Sequence, residues 1–227
     1  MASRAPHFII YSHGFGVRKT DRGLFTAIAD ALPDIQSVMF DYNPINEKSN
    51  TITVRPLPDQ ALKLRRVINT VRGEHPGAII DLVCHSQGCV VAALLKPRHI
   101  RKVIMLTPPA DMSEAAVVER LGTRKSIDID VAGRTRLQSS DGGTTVIRPD
   151  YWEGLAGINL IKLYDRFARF TNLRIISAKQ DELLGDVNFK ISNPTISVVN
   201  LDGNHNFDSP EDRKRIVYVV QKELASE

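Results

Sequence analysis

The stretch Leu82-Val83-Cys84-His85-Ser86-Gln87-Gly88 restricts the fold of this chain more than any other. Residues 78–83, AIIDLV, read as a strand covered on both faces, and residues 89–95, CVVAALL, read as an apolar helix. A serine is therefore set on the turn between a buried strand and a buried helix. A side chain on so sharp a turn projects above the sheet edge, with the first amide of the helix beside it. Five-residue patterns of small residues around a serine are common. The strand before this one and the helix after it give it weight.

Similar strand-like runs occur at 7–12, 36–41, 102–107, 173–178 and 196–201, with a run of 78–84 around the junction itself. Helical patterns fit 22–32, 59–72 and 87–95, and a last helix starts at Ser209-Pro210-Glu211-Asp212, with serine as cap and proline in the first turn. Apolar strands alternating with helices predict an α/β protein: a mostly parallel sheet of about six strands with helices on both faces. The 227 residues suffice for one such domain with an insertion. The insertion lies after the fourth strand, at 111–170, where the connection far exceeds what a strand–helix crossover needs. It predicts a helix at 113–121 and short strands at 126–131 and 144–147, with Asp141-Gly142-Gly143 as a turn. An amphipathic stretch at 150–170 carries Tyr151, Trp152, Leu155, Ile158, Leu160, Ile161, Tyr164 and Phe167. We read this insertion as a cap over a site.

Composition narrows the classes. Hydrophobic residues make up 42% and charged residues 25%, as in an ordinary globular protein. The net charge of +4 comes with basic clusters at Lys63, Arg65, Arg66 and Arg72 and at Arg213, Lys214 and Arg215. Without interleaved aromatic or basic motifs these read as solvated helix faces, so no nucleic-acid partner is expected. No run approaches a membrane span, and the first strand starts by about His7, so a cytoplasmic protein without a signal peptide is expected. The two cysteines, Cys84 and Cys89, are expected to be reduced, buried packing residues.

An activated serine needs a base, a group to orient the base, and donors for an oxyanion. His205 lies in Gly203-Asn204-His205-Asn206-Phe207, directly after the last strand, where an imidazole can exchange a proton with Ser86. Asp181, after the fifth strand, can fix its tautomer; Glu182 and Asp111 compete for that role, Asp111 more seriously. His7, His75 and His99 fall elsewhere, His85 points away from the junction, and His13 reads as a brace for the loop it precedes. The oxyanion donors are expected from Gln87 and from the turn His13-Gly14-Phe15-Gly16, at Phe15. No metal-spaced His/Cys set occurs, and no cofactor is required.

Together these residues resemble the α/β-hydrolase superfamily, and within it the small bacterial cinnamoyl (feruloyl) esterases. The resemblance is carried by Ser12-His13-Gly14-Phe15, Val38-Met39-Phe40-Asp41-Tyr42-Asn43, His85-Ser86-Gln87-Gly88-Cys89, Val103-Ile104-Met105-Leu106-Thr107-Pro108-Pro109-Ala110, Gln180-Asp181-Glu182-Leu183-Leu184 and Gly203-Asn204-His205-Asn206-Phe207. It implies the α/β-hydrolase fold and a serine carboxylic-ester hydrolase acting on a small-molecule ester, with a short-to-medium or aromatic acyl group. In that reading Ser86 is nucleophile, His205 base, Asp181 orienting acid, and the Phe15 and Gln87 amides the oxyanion hole. His13, Tyr42, Trp152 and Tyr164 are its candidate substrate contacts, although the cap aromatics fit equally as a packing face. The chain departs from the pattern at Cys84, where glycine is usual, and in the glycine-free loop Pro44-Ile45-Asn46-Glu47-Lys48, expected to border the pocket. The same triad also serves thioesters, lactones and peptides, and the fold can serve as a binding protein. A monomer and a homodimer are both compatible with the sequence.

Overall fold

A computed structural model of the chain describes residues 5–122, 127, 129–138, 142–185, 189 and 193–226. Strand β1 (His7–Ser12) leads through a loop to helix α1 (Leu24–Asp30) and edge strand β2 (Gln36–Met39). Two short strands, β3 (Ile45–Asn46) and β4 (Thr51–Val54), precede the long helix α2 (Leu57–Glu74). Then come β5 (Ile79–His85), α3 (Gln87–Leu95) and β6 (Lys102–Leu106). The insertion follows with α4 (Glu114–Gly122), β7 (Thr135–Gln138), β8 (Thr144–Ile147), α5 (Pro149–Glu153) and α6 (Leu160–Phe167). Strands β9 (Asn172–Ala178) and β10 (Ser197–Leu201) and helix α7 (Pro210–Ala225) complete the chain.

Six strands form one all-parallel sheet in the order β10-β9-β6-β5-β1-β2. Alternate residues feed two cores, as the strand period of two requires. Ile9, Tyr11, Val83, Ile104, Leu106 and Ile176 pack toward α1 and α7. Phe8, Ile10, Leu82, Cys84, Val103, Met105 and Ile175 pack toward α2 and α3. That double burial is why the strands read as unbroken apolar runs. After β2 the chain returns past β1 to start β5, so the strand order reverses at β1 and β5. Their following helices lie on opposite faces, which opens a crevice at the carboxyl ends of those two strands. The glycine turn and Ser86 both lie at that crevice.

The expected strand bounds hold to within one or two residues, and Ser209 caps α7 by accepting from Asp212 N–H at 3.1 Å. The insertion differs from expectation. Residues 126 and 128 of the expected 126–131 strand, and Asp141 of the expected turn, lie outside the described residues; Ile127, Ile129, Asp130 and Val131 are not in a strand. The strand partnering β8 is instead β7, stabilised by Thr135 Oγ1, which both accepts from and donates to the Asp130 backbone. The 150–170 stretch is broken into α5 and α6 around Gly154 and Gly157, the latter at φ +71°. The segment after Asn43 forms β3 and β4, and β4 pairs in parallel with β8. A second sheet, β3-β4-β8-β7, thus ties the insertion to the chain after β2. Helix α6 packs on α3, burying Leu160, Tyr164 and Phe167 in the main core.

Lys63, Arg65, Arg66, Lys214 and Arg215 are exposed. Cys84 and Cys89 are free and buried, and burial pushes the Cys84 thiol up to about 12. Among the described residues no helix is long and apolar enough to cross a membrane, and no group of three or more His, Cys, Asp or Glu could hold a metal ion.

Candidate active site

Ser86 joins β5 to α3 at φ +50°, ψ −123°, a conformation that costs a non-glycine residue free energy and holds its side chain clear of the backbone. Its Oγ donates to His205 Nε2 at 2.9 Å, and His205 Nδ1 donates to Asp181 Oδ2 at 2.8 Å. Asp181 is itself fixed by the Leu183 and Leu184 amides, which both donate to its other oxygen, at 3.0 and 2.7 Å. With Nδ1 carrying the proton for the carboxylate, the lone pair of Nε2 faces Ser86. The His205 backbone is held as firmly: its N–H donates to Glu182 Oε2 at 3.0 Å, and its carbonyl accepts from Thr107 Oγ1 at 3.2 Å. Burial lowers the pKa of His205 below the usual 6.5; the bond from Asp181 opposes this, and the charge of His85 adds to it.

Of the two competing acids, Glu182 serves the backbone of His205, and Asp111 turns away. Asp111 Oδ1 accepts from Ser113 N–H at 2.7 Å, and its carbonyl accepts from Arg120. Among the described residues the amides of Phe15 and Gln87 donate to no protein acceptor. Gln87 is the first residue of α3, ahead of any intrahelical acceptor. Its side chain is pinned in a buried chain: Tyr151 Oη–H donates to Gln87 Oε1 at 2.7 Å, Gln87 Nε2 to Gln60 Oε1 at 3.1 Å, and Gln60 Nε2 to the Arg55 carbonyl at 2.7 Å. Replacing Tyr151 with phenylalanine leaves the buried Gln87 Oε1 without its donor, and we expect it to lower stability by about 1–3 kcal/mol in urea titrations.

The cavity at Ser86 measures about 100 Å³. Phe15, Pro109, Met112, Val117, Leu121 and Leu183 give it an apolar wall, and Arg22 and Arg120 stand among them. None of the four expected substrate contacts reaches it. His13 Nδ1 donates to the Gly14 carbonyl at 2.9 Å while Nε2 accepts from Tyr42 N–H at 3.0 Å, so the ring braces the glycine turn, and burial lowers its pKa. Tyr42 Oη–H donates to Ser12 Oγ at 2.6 Å, and Ser12 in turn to the Gly88 carbonyl at 2.8 Å. Trp152 is buried against Tyr151, and Tyr164 Oη–H donates to the Pro109 carbonyl at 2.8 Å. These residues are packing and bracing: Trp152 and Tyr164 are buried in the main core, and α6 packs on α3. Of the cap aromatics, Tyr151 alone borders the cavity among the described residues.

Two residues at the cavity were not expected there. His85, read from the sequence as pointing away, lines it and lies with its ring centre 5.1 Å from that of His205. Asp21 accepts from His85 Nδ1 at 2.8 Å. In sequence Asp21 sits in the polar run Arg18-Lys19-Thr20-Asp21-Arg22, with no pattern to set it apart from a surface loop.

Solved structures share this architecture over nearly the whole chain. Est1E from Butyrivibrio proteoclasticus matches with a TM-score of 0.70 at 18% identity, over 97% of this chain and 87% of that one. The esterase domain of a Rhodothermus marinus protein matches with a TM-score of 0.66 at 18% identity and the same coverage. A serine hydrolase homologue from Coxiella burnetii gives 0.61 at 16% identity, over 98% and 86%. No family model matches the chain, and none of the curated proteins does.

Proposed function

We propose that this chain, which has the α/β-hydrolase fold, is a serine carboxylic-ester hydrolase. One observation carries the reading: the continuous line Ser86 Oγ, His205 Nε2, His205 Nδ1, Asp181 Oδ2, with links of 2.9 and 2.8 Å, at a strained turn that opens a helix. In the reaction Ser86 attacks the ester carbonyl as His205 takes its proton. The oxyanion is received by the amides of Phe15 and Gln87. His205 then protonates the leaving alcohol, and afterwards draws a proton from the water that frees the acid from Ser86. Asp181 holds the tautomer and balances the imidazolium.

Residues 111–170 act as a cap, α4 and α5 supplying Val117, Arg120, Leu121 and Tyr151 to the cavity wall. The size of the cavity favours a short acyl group. At about 100 Å³ it is smaller than the roughly 150 Å³ that holds a benzene ring in an apolar protein cavity. Est1E has been solved with ferulic acid bound, which keeps an aromatic acyl group as the second reading; here it would need the cap to move.

The test is hydrolysis of p-nitrophenyl esters from acetate to decanoate, with methyl ferulate alongside, by wild type and Ser86→Ala. Serine-dependent turnover that peaks at acetate or butyrate fits the small cavity. A peak on methyl ferulate would favour the second reading, and no turnover on any ester would move the assignment to another acyl donor or to a binding role. Since the base works only when neutral, kcat/KM falls as pH drops through the His205 pKa. Burial and the neighbouring charge put that midpoint below the 6.5 of an ordinary histidine, and a profile from pH 4.5 to 9 locates it. A midpoint above 7 would contradict this account of the base.

A further inference from the structure

Asp21 and His85 have no part in the reaction just described, yet both are almost wholly buried beside it. Asp21 Oδ2 accepts from the Gly14 amide at 2.8 Å and from His85 Nδ1 at 2.8 Å. The other ring nitrogen of His85, Nε2, lies 3.0 Å from the His205 carbonyl oxygen. Both nitrogens therefore face acceptors. A neutral imidazole has one N–H and would aim a lone pair at one of these oxygens; only the imidazolium donates to both. A neutral pair would have to carry its proton on Asp21 Oδ2, the oxygen that also accepts from Gly14 N–H, and a hydroxyl oxygen is a weaker acceptor there than a carboxylate.

We propose that Asp21 and His85 form a permanently charged, buried carboxylate–imidazolium pair that positions both halves of the active site. The carboxylate holds the amide of Gly14, and with it the turn that presents Phe15. The imidazolium holds the carbonyl of His205, and with it the base. Neither residue touches the reacting atoms, so both are positioning residues. The charged groups around them agree. Asp21 faces His85 and His13, and His85 faces Asp21, Arg22 and His205. Burial alone would raise the Asp21 carboxyl, but the His85 charge and bond and the Gly14 amide hold it at about 2. Burial would likewise lower the His85 pKa, and the Asp21 charge and bond lift it above 6.5 instead. The pair has a second effect. A fixed positive charge beside His205, which also faces Asp181 and Glu182, opposes a second positive charge and keeps the base neutral to lower pH.

The kinetic consequence rests on the serine-hydrolase reading, whereas the charge state does not, so the first measurement avoids turnover. In Ser86→Ala protein labelled with ¹⁵N-histidine, nitrogen chemical shifts are followed from pH 5 to 9. His85 should show two protonated ring nitrogens up to and beyond pH 7, while His205 titrates. A neutral His85 at pH 7 overturns the proposal. In the Ser86→Ala/His85→Gln double variant, the His205 midpoint should rise by about one unit, since the like charge is gone. An unmoved midpoint in a folded double variant would refute the electrostatic role. For turnover, His85→Gln and Asp21→Asn should each lower kcat by about ten- to a hundredfold with little change in KM, as expected of misplaced groups. Wild type that hydrolyses no ester fails the functional reading alone, because the nitrogen shifts still decide the pair.

Discussion

Ser86→Ala should lower kcat by at least about a thousandfold on whichever ester the wild type prefers, which corresponds to about 4 kcal/mol of transition-state stabilisation. The size follows from what the side chain does. Without Oγ there is no acyl-enzyme, and what remains is the two free amides acting on a bound ester and ordinary water. His205→Ala should cost as much, because an un-ionised serine hydroxyl is a poor nucleophile without the base 2.9 Å away. The double variant should therefore be little worse than either single one, since the two groups act as one device. Asp181→Ala should be milder. The Glu182 bond to the His205 amide and the His85 bond to its carbonyl still hold the base in place when its tautomer is no longer fixed. Steady-state rates on p-nitrophenyl butyrate, with circular dichroism to show that each variant is folded, decide the matter. Additive losses in the Ser86/His205 double variant, or near-normal turnover by Ser86→Ala, would end the triad account.

The line from Ser86 through His205 to Asp181 was legible because each residue follows a strand within four residues, and the strands before Ser86 and Asp181 are largely apolar runs. A parallel sheet covered on both faces writes its strands as continuous Val, Ile and Leu, and its functional loops then fall at their carboxyl ends. The sequence favours Asp181 but keeps Asp111 as a rival, since both follow strands; what separates them is where His205 comes to rest in space. The second sheet was hidden for a different reason. Ile45–Asn46 and Thr51–Val54 are short, and their partner Thr144–Ile147 is brought to them only by the fold. The cavity wall was misjudged on the same ground. Hydrophobicity tells that Trp152 and Tyr164 are buried but not which empty or filled space they face, and both turned inward to the core. Asp21 illustrates the limit: a charged residue in a polar loop becomes part of the site only because the strand order puts His85 next to it.

Among the described glycines, Gly88→Ala should be the most damaging, because the added carbon would meet only backbone. A Cβ at position 88 would stand 2.0 Å from the Ser12 carbonyl oxygen, 2.6 Å from its carbon and 2.7 Å from the His13 carbonyl oxygen. All three atoms belong to backbone, so no rotamer change relieves the clash; α3 and the end of β1 must part. That contact is where the two halves of the proposed oxyanion site meet. Ser12 Oγ donates to the Gly88 carbonyl, Tyr42 donates to Ser12, and Gly14 and Phe15 follow directly in the chain. Separating them costs packing and also draws the Phe15 amide away from the Gln87 amide. We expect a loss of about 3 kcal/mol or more in urea unfolding, toward the severe end for single substitutions. The surviving folded protein should turn over at least about a hundredfold more slowly, as for a lost oxyanion donor. Gly73→Ala is the matched control. It lies in α2 with nothing within 4 Å of the added carbon, and should raise stability by about 0.5–1 kcal/mol, because alanine is the better helix former. If Gly88→Ala unfolds at the same urea concentration as wild type with unchanged kcat, the close approach of α3 to β1 is not what aligns the site.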